Sequence, residues 1–303
     1  MRPQKLTWAA IIPVPGNPAL CTLHTVLRHT HHGILTMTPH PELKKAPVIE
    51  FENITVFREN NRALDRVSVT IHEGENVAIL GPNGAGKSSL VRTITRELYP
   101  VSDEHMTFRI RGQDVWDVFE LRSTIGIVSN ELQATFNREM SGREVILSGF
   151  FSSVGLFNQE ITPAMVQKAD AICAFLEISH LKDRLMNGMS SGEARRFLIG
   201  RALVNDPATL ILDEPTNSLD LHSLHTFRKT IRKIAQSGTG IILVTHNLHD
   251  IIPEISRVIL MKDGRIVNDG KKPGLLTGSV IGELFSVPLE VIESGGYYYA
   301  AGY

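Results

Sequence analysis

Apolar positions along this chain fall into short continuous runs separated by stretches with helical spacing. Asn76-Val77-Ala78-Ile79-Leu80, Ile125–Ser129, Thr209–Leu212 and Ile241–Thr245 are each long enough for a buried strand and too short for a helix. Continuous rather than alternating hydrophobicity is what a parallel sheet covered on both faces requires. Leu90, Val91, Ile94 and Leu98 recur at helical spacing, as do Ala194, Phe197, Leu198, Arg201 and Ala202, so helices alternate with the strands. Two regions break this rhythm. Phe51, Asn53–Val56 and the alternating Val67, Val69 and Ile71 predict antiparallel strands, with Glu73-Gly74 turning into the next one. From Asn130 to Gly188 the pattern becomes mainly helical, most clearly over Ala164–Leu176. Thr107–Ile110 reads as a further strand, and Ile255–Met261 and Arg265–Val267 as a hairpin closed on Asp263-Gly264. The expected fold is α/β: a mostly parallel sheet, an antiparallel β subdomain, and an inserted helical subdomain over about residues 131–190.

Between the first buried strand and the first helix lies Gly81-Pro82-Asn83-Gly84-Ala85-Gly86-Lys87-Ser88-Ser89. It is a G-x-x-x-x-G-K-S loop in the strand–turn–helix setting that a phosphate-binding loop needs. Glycines at 81, 84 and 86 let the backbone curl so that its N–H groups converge on an oxyanion. The helix beginning near Lys87 adds the positive end of its dipole. Lys87 is placed to reach the β- and γ-phosphates, and the Ser88 hydroxyl to ligate Mg²⁺. A P-loop NTPase core follows. Asp213-Glu214 ends the strand Thr209–Leu212, at the edge where open α/β sheets bind ligands. There Asp213 can engage the Mg²⁺ hydration shell and Glu214 can polarise an attacking water. His246 ends a second buried strand, Ile241–Thr245, as a γ-phosphate contact or an organiser of Glu214. Phe57 closes the first strands and is either core or a platform for a purine base. Ser190 and Glu193 form a capping box at the start of the helix that carries Ala194 and Phe197.

Composition narrows this reading by exclusion. The chain has 303 residues, 42% of them hydrophobic and 21% charged, with net charge −1. No overall basic balance argues for direct nucleic-acid binding. Two cysteines, Cys21 and Cys173, make no disulfide framework and fit a reducing, cytoplasmic compartment. The longest uncharged run, Leu6–Leu27, is broken by Pro13, Pro15 and Pro18, against a spanning helix. Residues 1–46 stand apart as a disordered or wrongly assigned extension. Up to Pro41 it has no acidic residue and no serine, and histidines gather at 29, 31 and 32 without a cysteine or carboxylate to complete a metal site. Translation from Met37 would remove most of it. The cassette then spans 47–286, and 287–303 is a tail without recognisable chemistry.

Gly81–Ser88, Met189–Glu193 with Arg195-Arg196, Leu210–Glu214, Ser218-Leu219-Asp220 and His246, in this order, resemble the Walker A, signature, Walker B, D-loop and switch-histidine motifs of ABC-type ATPases. The resemblance runs from about Val48 to Phe285. It implies ATP stacked on Phe57, Glu214 as general base and His246 as switch residue. It also implies that Ser190 and Gly192 touch the γ-phosphate of a nucleotide held by a second copy, in a head-to-tail homodimer lined by Ser218–Asp220. Two departures stand out. Met189-Ser190-Ser191-Gly192-Glu193 replaces the usual L-S-G-G-Q, and the glutamine expected after the Ile-Gly-x-Val strand is Asn130, with Gln133 as the alternative amide for Mg²⁺ or the water. The departures look most similar to a soluble subgroup associated with molybdate uptake or photorepair.

Two functions compete. One is the ATPase subunit of a transporter, pushing on a separate membrane permease from the inner face of the membrane. The other is a non-transport ATPase acting on nucleic acid, ribosomes or a regulatory partner. Relatives of the second kind carry two cassettes or a long inserted coiled coil, and this chain has neither, so transport is the expected role.

Overall fold

The computed structural model describes residues 46–136, 139–217 and 219–303. The extension, with Cys21, His29, His31, His32 and the start at Met37, lies outside the described residues, as does Ser218.

β1 (Pro47–Arg58) pairs antiparallel with β2 (Asn61–His72). The two stretches read from Phe51 and from Asn53–Val56 are one strand with a bulge, because Asn53 takes a left-handed φ of 53° and the register shifts there. β3 (Val77–Leu80) runs into the glycine loop and α1 (Lys87–Ile94), after which β4 (Thr107–Ile110) pairs with the free edge of β1. α1 is shorter than the apolar spacing suggests. Arg96 adopts a φ of 61° just past its end, so Leu98 packs on the core from outside the helix. α2 (Val118–Thr124), β5 (Ile125–Ser129) and α3 (Asn130–Phe136) lead into the helical part, built from α4 (Gly142–Ser148), α5 (Pro163–Phe175) and α6 (Ser191–Leu203). β6 (Thr209–Asp213), α7 (Leu221–Gln236) and β7 (Gly240–Thr245) restore the alternation, and β8 (Arg257–Lys262) and β9 (Arg265–Lys271) form the expected hairpin. Asp263 and Gly264 both take positive φ, 49° and 74°, the pairing a two-residue hairpin turn demands.

The large sheet has the order β5-β6-β7-β3-β8-β9, parallel except for β9. Its strands bury both faces by simple alternation. Val77 and Ile79 pack with Ile211, Ile242 and Val244 toward the antiparallel sheet, while Ala78 and Leu80 pack with Leu210, Leu212, Ile241 and Leu243 toward the helical part. Register then decides the site. Ser129 lies opposite Asp213, Asp213 opposite Val244, and Leu80 opposite Thr245. The residues that follow each strand therefore emerge along one edge.

Two regions go beyond the sequence reading. α7 was not foreseen, although Phe227, Thr230, Ile231 and Ile234 give it a buried stripe and Asp220 caps it by accepting from Ser223 N at 2.7 Å. Past the short α8 (Lys272–Leu275) and α9 (Gly278–Phe285), the stretch read as a tail contains an antiparallel hairpin, β10 (Glu290–Ser294) with β11 (Tyr297–Ala301), turned on Gly295-Gly296. Its aromatic strand is held by Arg228, whose guanidinium lies 4.6 Å from the Tyr297 ring, and by Lys272, which donates to Gly296 O at 3.4 Å.

Candidate functional site

The glycine loop leaves β3 where backbone crowding admits nothing larger. A Cβ at Gly81 would stand 2.2 Å from Met261 O, and one at Gly86, with a φ of 96°, would stand 2.7 Å from Ala63 O. Gly264 N donates to Ala85 O at 3.1 Å, tying the loop to the β8–β9 turn. Pro82, Asn83, Gly84 and Ser89 complete the loop, with Asn83, Gly84 and Ser88 exposed and Ala85 buried. α1 has no side-chain cap and no acidic residue in its first turn. Its leading N–H groups and dipole are open to an anion. Lys87 is 4% exposed. Its Nζ donates to Gly81 O at 2.8 Å and Pro82 O at 3.0 Å, and lies 3.8 Å from Glu214 Oε1. Burial lowers its pKa, against the opposing pull of Glu214 and Asp213.

Asp213 is the last residue of β6, and its buried Oδ1 has no partner among the described residues. Burial, with help from the Glu214 charge, pushes its carboxyl up to about 6. Glu214 follows with a left-handed φ of 47°, its N–H bonded to Val244 O at 2.8 Å. This turn swings the carboxylate back over the sheet edge. Oε1 lies 3.2 Å from His246 Nδ1, and Oε2 accepts from Asn217 Nδ2 at 2.7 Å. The Walker B turn and the histidine loop are joined beneath by buried Asp250, which accepts from Thr216 Oγ1 at 2.7 Å and Thr245 Oγ1 at 2.5 Å.

Asn130 opens α3 and donates to Glu214 O at 3.2 Å, while its Oδ1 accepts from Arg195 Nη2 at 2.5 Å. Gln133 Oε1 accepts from the same guanidinium, at 2.6 Å from Nη2 and 3.0 Å from Nε. Both amides therefore converge on one arginine. Burial lowers the Arg195 pKa to about 10.

Phe57 is 44% exposed, so the core alternative for it is excluded. It borders an open recess with Asn60, Arg62, Lys262 and Val267, and the Arg62 guanidinium stands 5.8 Å from its ring. Ser190 and Gly192 are placed elsewhere. They border a recess with Arg196, His222 and Ser223, and no hydrogen bond among the described residues joins them to the glycine loop. The α6 N-terminus closes on itself. Ser190 Oγ accepts from Glu193 N at 3.2 Å, and Glu193 Oε2 accepts from Ser190 N at 2.7 Å.

The structure thus gathers Gly81–Ser89, Asp213, Glu214, His246 and Asn130 at one sheet edge and leaves Ser190 and Gly192 apart. Asn217 and Asp250 belong to none of the sequence motifs, and Arg195 stands beside one without an evident role. Asn217, three residues after Glu214, carried a usable signal. Asp250 and Arg195 did not, because only the fold sets their partners.

The family model for the ABC transporter matches residues 64–217. An uncharacterised ABC transporter ATP-binding protein, YlmA of Bacillus subtilis (strain 168), is 31% identical over 252 residues, covering 81% of this chain and 93% of its own. The hemin import ATP-binding protein HmuV of Hahella chejuensis (strain KCTC 2396) is 30% identical, over 79% of this chain and 93% of its own. Among solved structures, the ADP conformation of MJ1267, an ATP-binding cassette of an ABC transporter, superposes with a TM-score of 0.66 at 26% identity, covering 80% of this chain and 96% of that one.

Proposed function

This chain belongs to the ATP-binding cassettes of ABC transporters, and we propose that its glycine loop is half of a nucleotide site completed by the signature turn of a second copy. As a family member it is a P-loop ATPase that binds ATP and energises a transporter. In the proposed closed state Lys87 exchanges the Gly81 and Pro82 carbonyls for the β- and γ-phosphates, and the bare N-terminus of α1 receives the phosphate chain. Phe57 stacks on the adenine. Glu214, held by His246 on one oxygen and Asn217 on the other, orients and deprotonates the attacking water. Ser190 and Gly192 of the second copy meet the γ-phosphate from the far side.

The residues present fit a divalent cation. Asp213 Oδ1 is a buried oxygen without a partner among the described residues, and Ser88, next to Lys87, is exposed. Mg²⁺ bound by Ser88 and Asp213 would neutralise charge on the β- and γ-phosphates. Gln133 Oε1 accepts twice from Arg195 and can supply an oxygen there only by releasing it, whereas Asn130 Oδ1 accepts once and keeps a second lone pair. The work goes to a separate permease, with the chain on the cytoplasmic face of the membrane. No helix among the described residues is long and apolar enough to cross one.

The observation that carries this reading is the separation just described: a complete phosphate loop, carboxylate pair and histidine at one edge, with Ser190 and Gly192 away from it. Glu214→Gln removes the base but keeps the shape, so it should trap a dimer that forms with Mg-ATP. Sedimentation velocity reads this directly, and a profile that stays monomeric with Mg-ATP would falsify the shared site.

A further inference from the structure

Arg195 lies one and a half turns into α6 and is 4% exposed. It makes no ion pair among the described residues. Its acceptors are neutral: Gln133 Oε1 takes Nε and Nη2, Asn130 Oδ1 takes Nη2, and the backbone oxygens of Glu214 and Pro215 take Nη1. All five N–H groups of the guanidinium are thereby used. A cation desolvated among dipoles alone is a costly way to stabilise a fold. What the planar fork supplies is fixed geometry between α3 and the turn after β6, both held to α6.

Those groups belong to the proposed nucleotide site. Asn130 and Gln133 are the candidate amides for the metal or water, and Glu214 is the base. Arg195 is also joined by one continuous helix to Ser190, whose capping box stiffens the first turn. The chain's own catalytic edge and the turn it offers to a second copy are therefore fastened to opposite ends of one short rigid segment. A cavity of about 520 Å³, lined by Asn130, Gln133, Ser191, Arg195 and Asn217, gives the amides and the guanidinium room to rearrange.

We propose that Arg195 is a positioning residue that couples occupancy of the chain's own ATP site to the placement of its signature turn in the partner's site. The inference rests on the shared-site reading. When nucleotide draws Asn130 or shifts the Glu214 backbone, the fork follows, and α6 with it. The two sites of a dimer then fire together rather than independently.

The test uses the full chain with Arg195→Lys, which keeps charge but offers a single donor centre, and Arg195→Gln as a second variant. A fluorescent ATP analogue should bind both within about twofold of wild type. ATP hydrolysis at saturating ATP should fall by about tenfold or more, with kcat reduced and KM little changed. The Hill coefficient should drop from above one to one. The effect must also act through the amides. In an Asn130→Ala, Gln133→Ala background, Arg195→Lys should cost about threefold or less, because the partners are already gone. Wild-type kcat and cooperativity in both Arg195 variants would overturn the proposal, as would a full tenfold loss persisting in the amide-free background. Wild-type protein that hydrolyses ATP without dimerising would overturn the shared site and the coupling with it, whereas a wild-type dimer with indifferent Arg195 variants overturns the coupling alone.

Discussion

Two helix N-termini take part in the proposed phosphate site, and they are finished in opposite ways. α1 begins at Gly86 with no side-chain cap and no acidic residue in its first turn. Beside it lie a desolvated lysine folded onto loop carbonyls and a buried carboxylate oxygen without a partner among the described residues. α6 begins at Ser190 with both halves of a capping box made and Glu193 in its first turn. Hydrogen bonding with Ser190 is the main reason the Glu193 carboxyl sits below its ordinary pKa, so its charge is present at neutral pH. An unsatisfied terminus binds an anion at no cost in existing bonds, whereas a satisfied one carrying a negative charge gives up part of its dipole advantage. The first half of the proposed site is therefore built for affinity and the second for a weaker, conditional grip. This suits a closed dimer that must reopen after each turnover.

The sharpest way to break the comparison is Lys87→Ala. Losing a buried charge-assisted donor to the phosphates should weaken ATP binding by about a hundredfold or more, measured by equilibrium binding of a fluorescent analogue. The fold should survive, since the ammonium holds two loop carbonyls and one 3.8 Å ion pair with Glu214, and no core packing rests on it. Binding like wild type would show that the open N-terminus alone supplies the affinity.

A smaller effect tests the other half. Glu193→Gln keeps the capping box, which accepts glutamine at that position, and removes the charge. A charge at a helix N-terminus is worth about 0.3–1 kcal/mol, so the Mg-ATP dimer trapped by Glu214→Gln should tighten by about two- to fivefold when this change is added. The gain should shrink as salt rises. An unchanged dimer constant at low salt would mean that the signature turn opens its capping box before it meets phosphate.

What could be read in advance divides along the same line. Each strand of the catalytic edge was legible because a buried parallel strand is a continuous apolar run, and the glycine loop because only glycine fits against Met261 O and Ala63 O. The capping box was legible because Ser190 and Glu193 are neighbours in sequence. Arg195 was quoted as part of the signature segment but given no role, since its partners at 130, 133, 214 and 215 meet only after the helical part folds onto the sheet. The left-handed turn at Glu214 was likewise hidden, because it places an ordinary side chain in a conformation that favours glycine, and the bulge at Asn53 was hidden because an asparagine tolerates that conformation in many settings without marking a bulge. The hairpin at 290–301 had a visible signal in Gly295-Gly296 followed by three tyrosines, but its support comes from Arg228 and Lys272, far back in the chain.

The unsatisfied state of the α1 side has a thermodynamic signature opposite in sign to that of the α6 side, where the Glu193 carboxyl lies below its ordinary pKa. Asp213 has its pKa raised to about 6 chiefly by burial, above the ordinary value of about 3.9 for an exposed carboxyl. The folded state therefore holds the proton more tightly than the unfolded chain. This proton-linked stability is complete below about pH 4, declines as pH rises toward 6, and is lost above it. Asp213→Asn removes the titration and keeps the shape. Without nucleotide and metal, the variant should melt higher than wild type at pH 7.5, and the difference should shrink steadily as pH falls to about 4.5. Mg-ATP should reverse the order at pH 7.5 by stabilising wild type more than the variant, because a cation would meet the Asp213 charge that burial disfavours and Lys87 only partly offsets. Differential scanning calorimetry at both pH values, with and without Mg-ATP, reads all of these. A pH-independent gap between the two proteins would mean that Asp213 is already paid for within the fold, and that α1's half of the site is no more open than α6's.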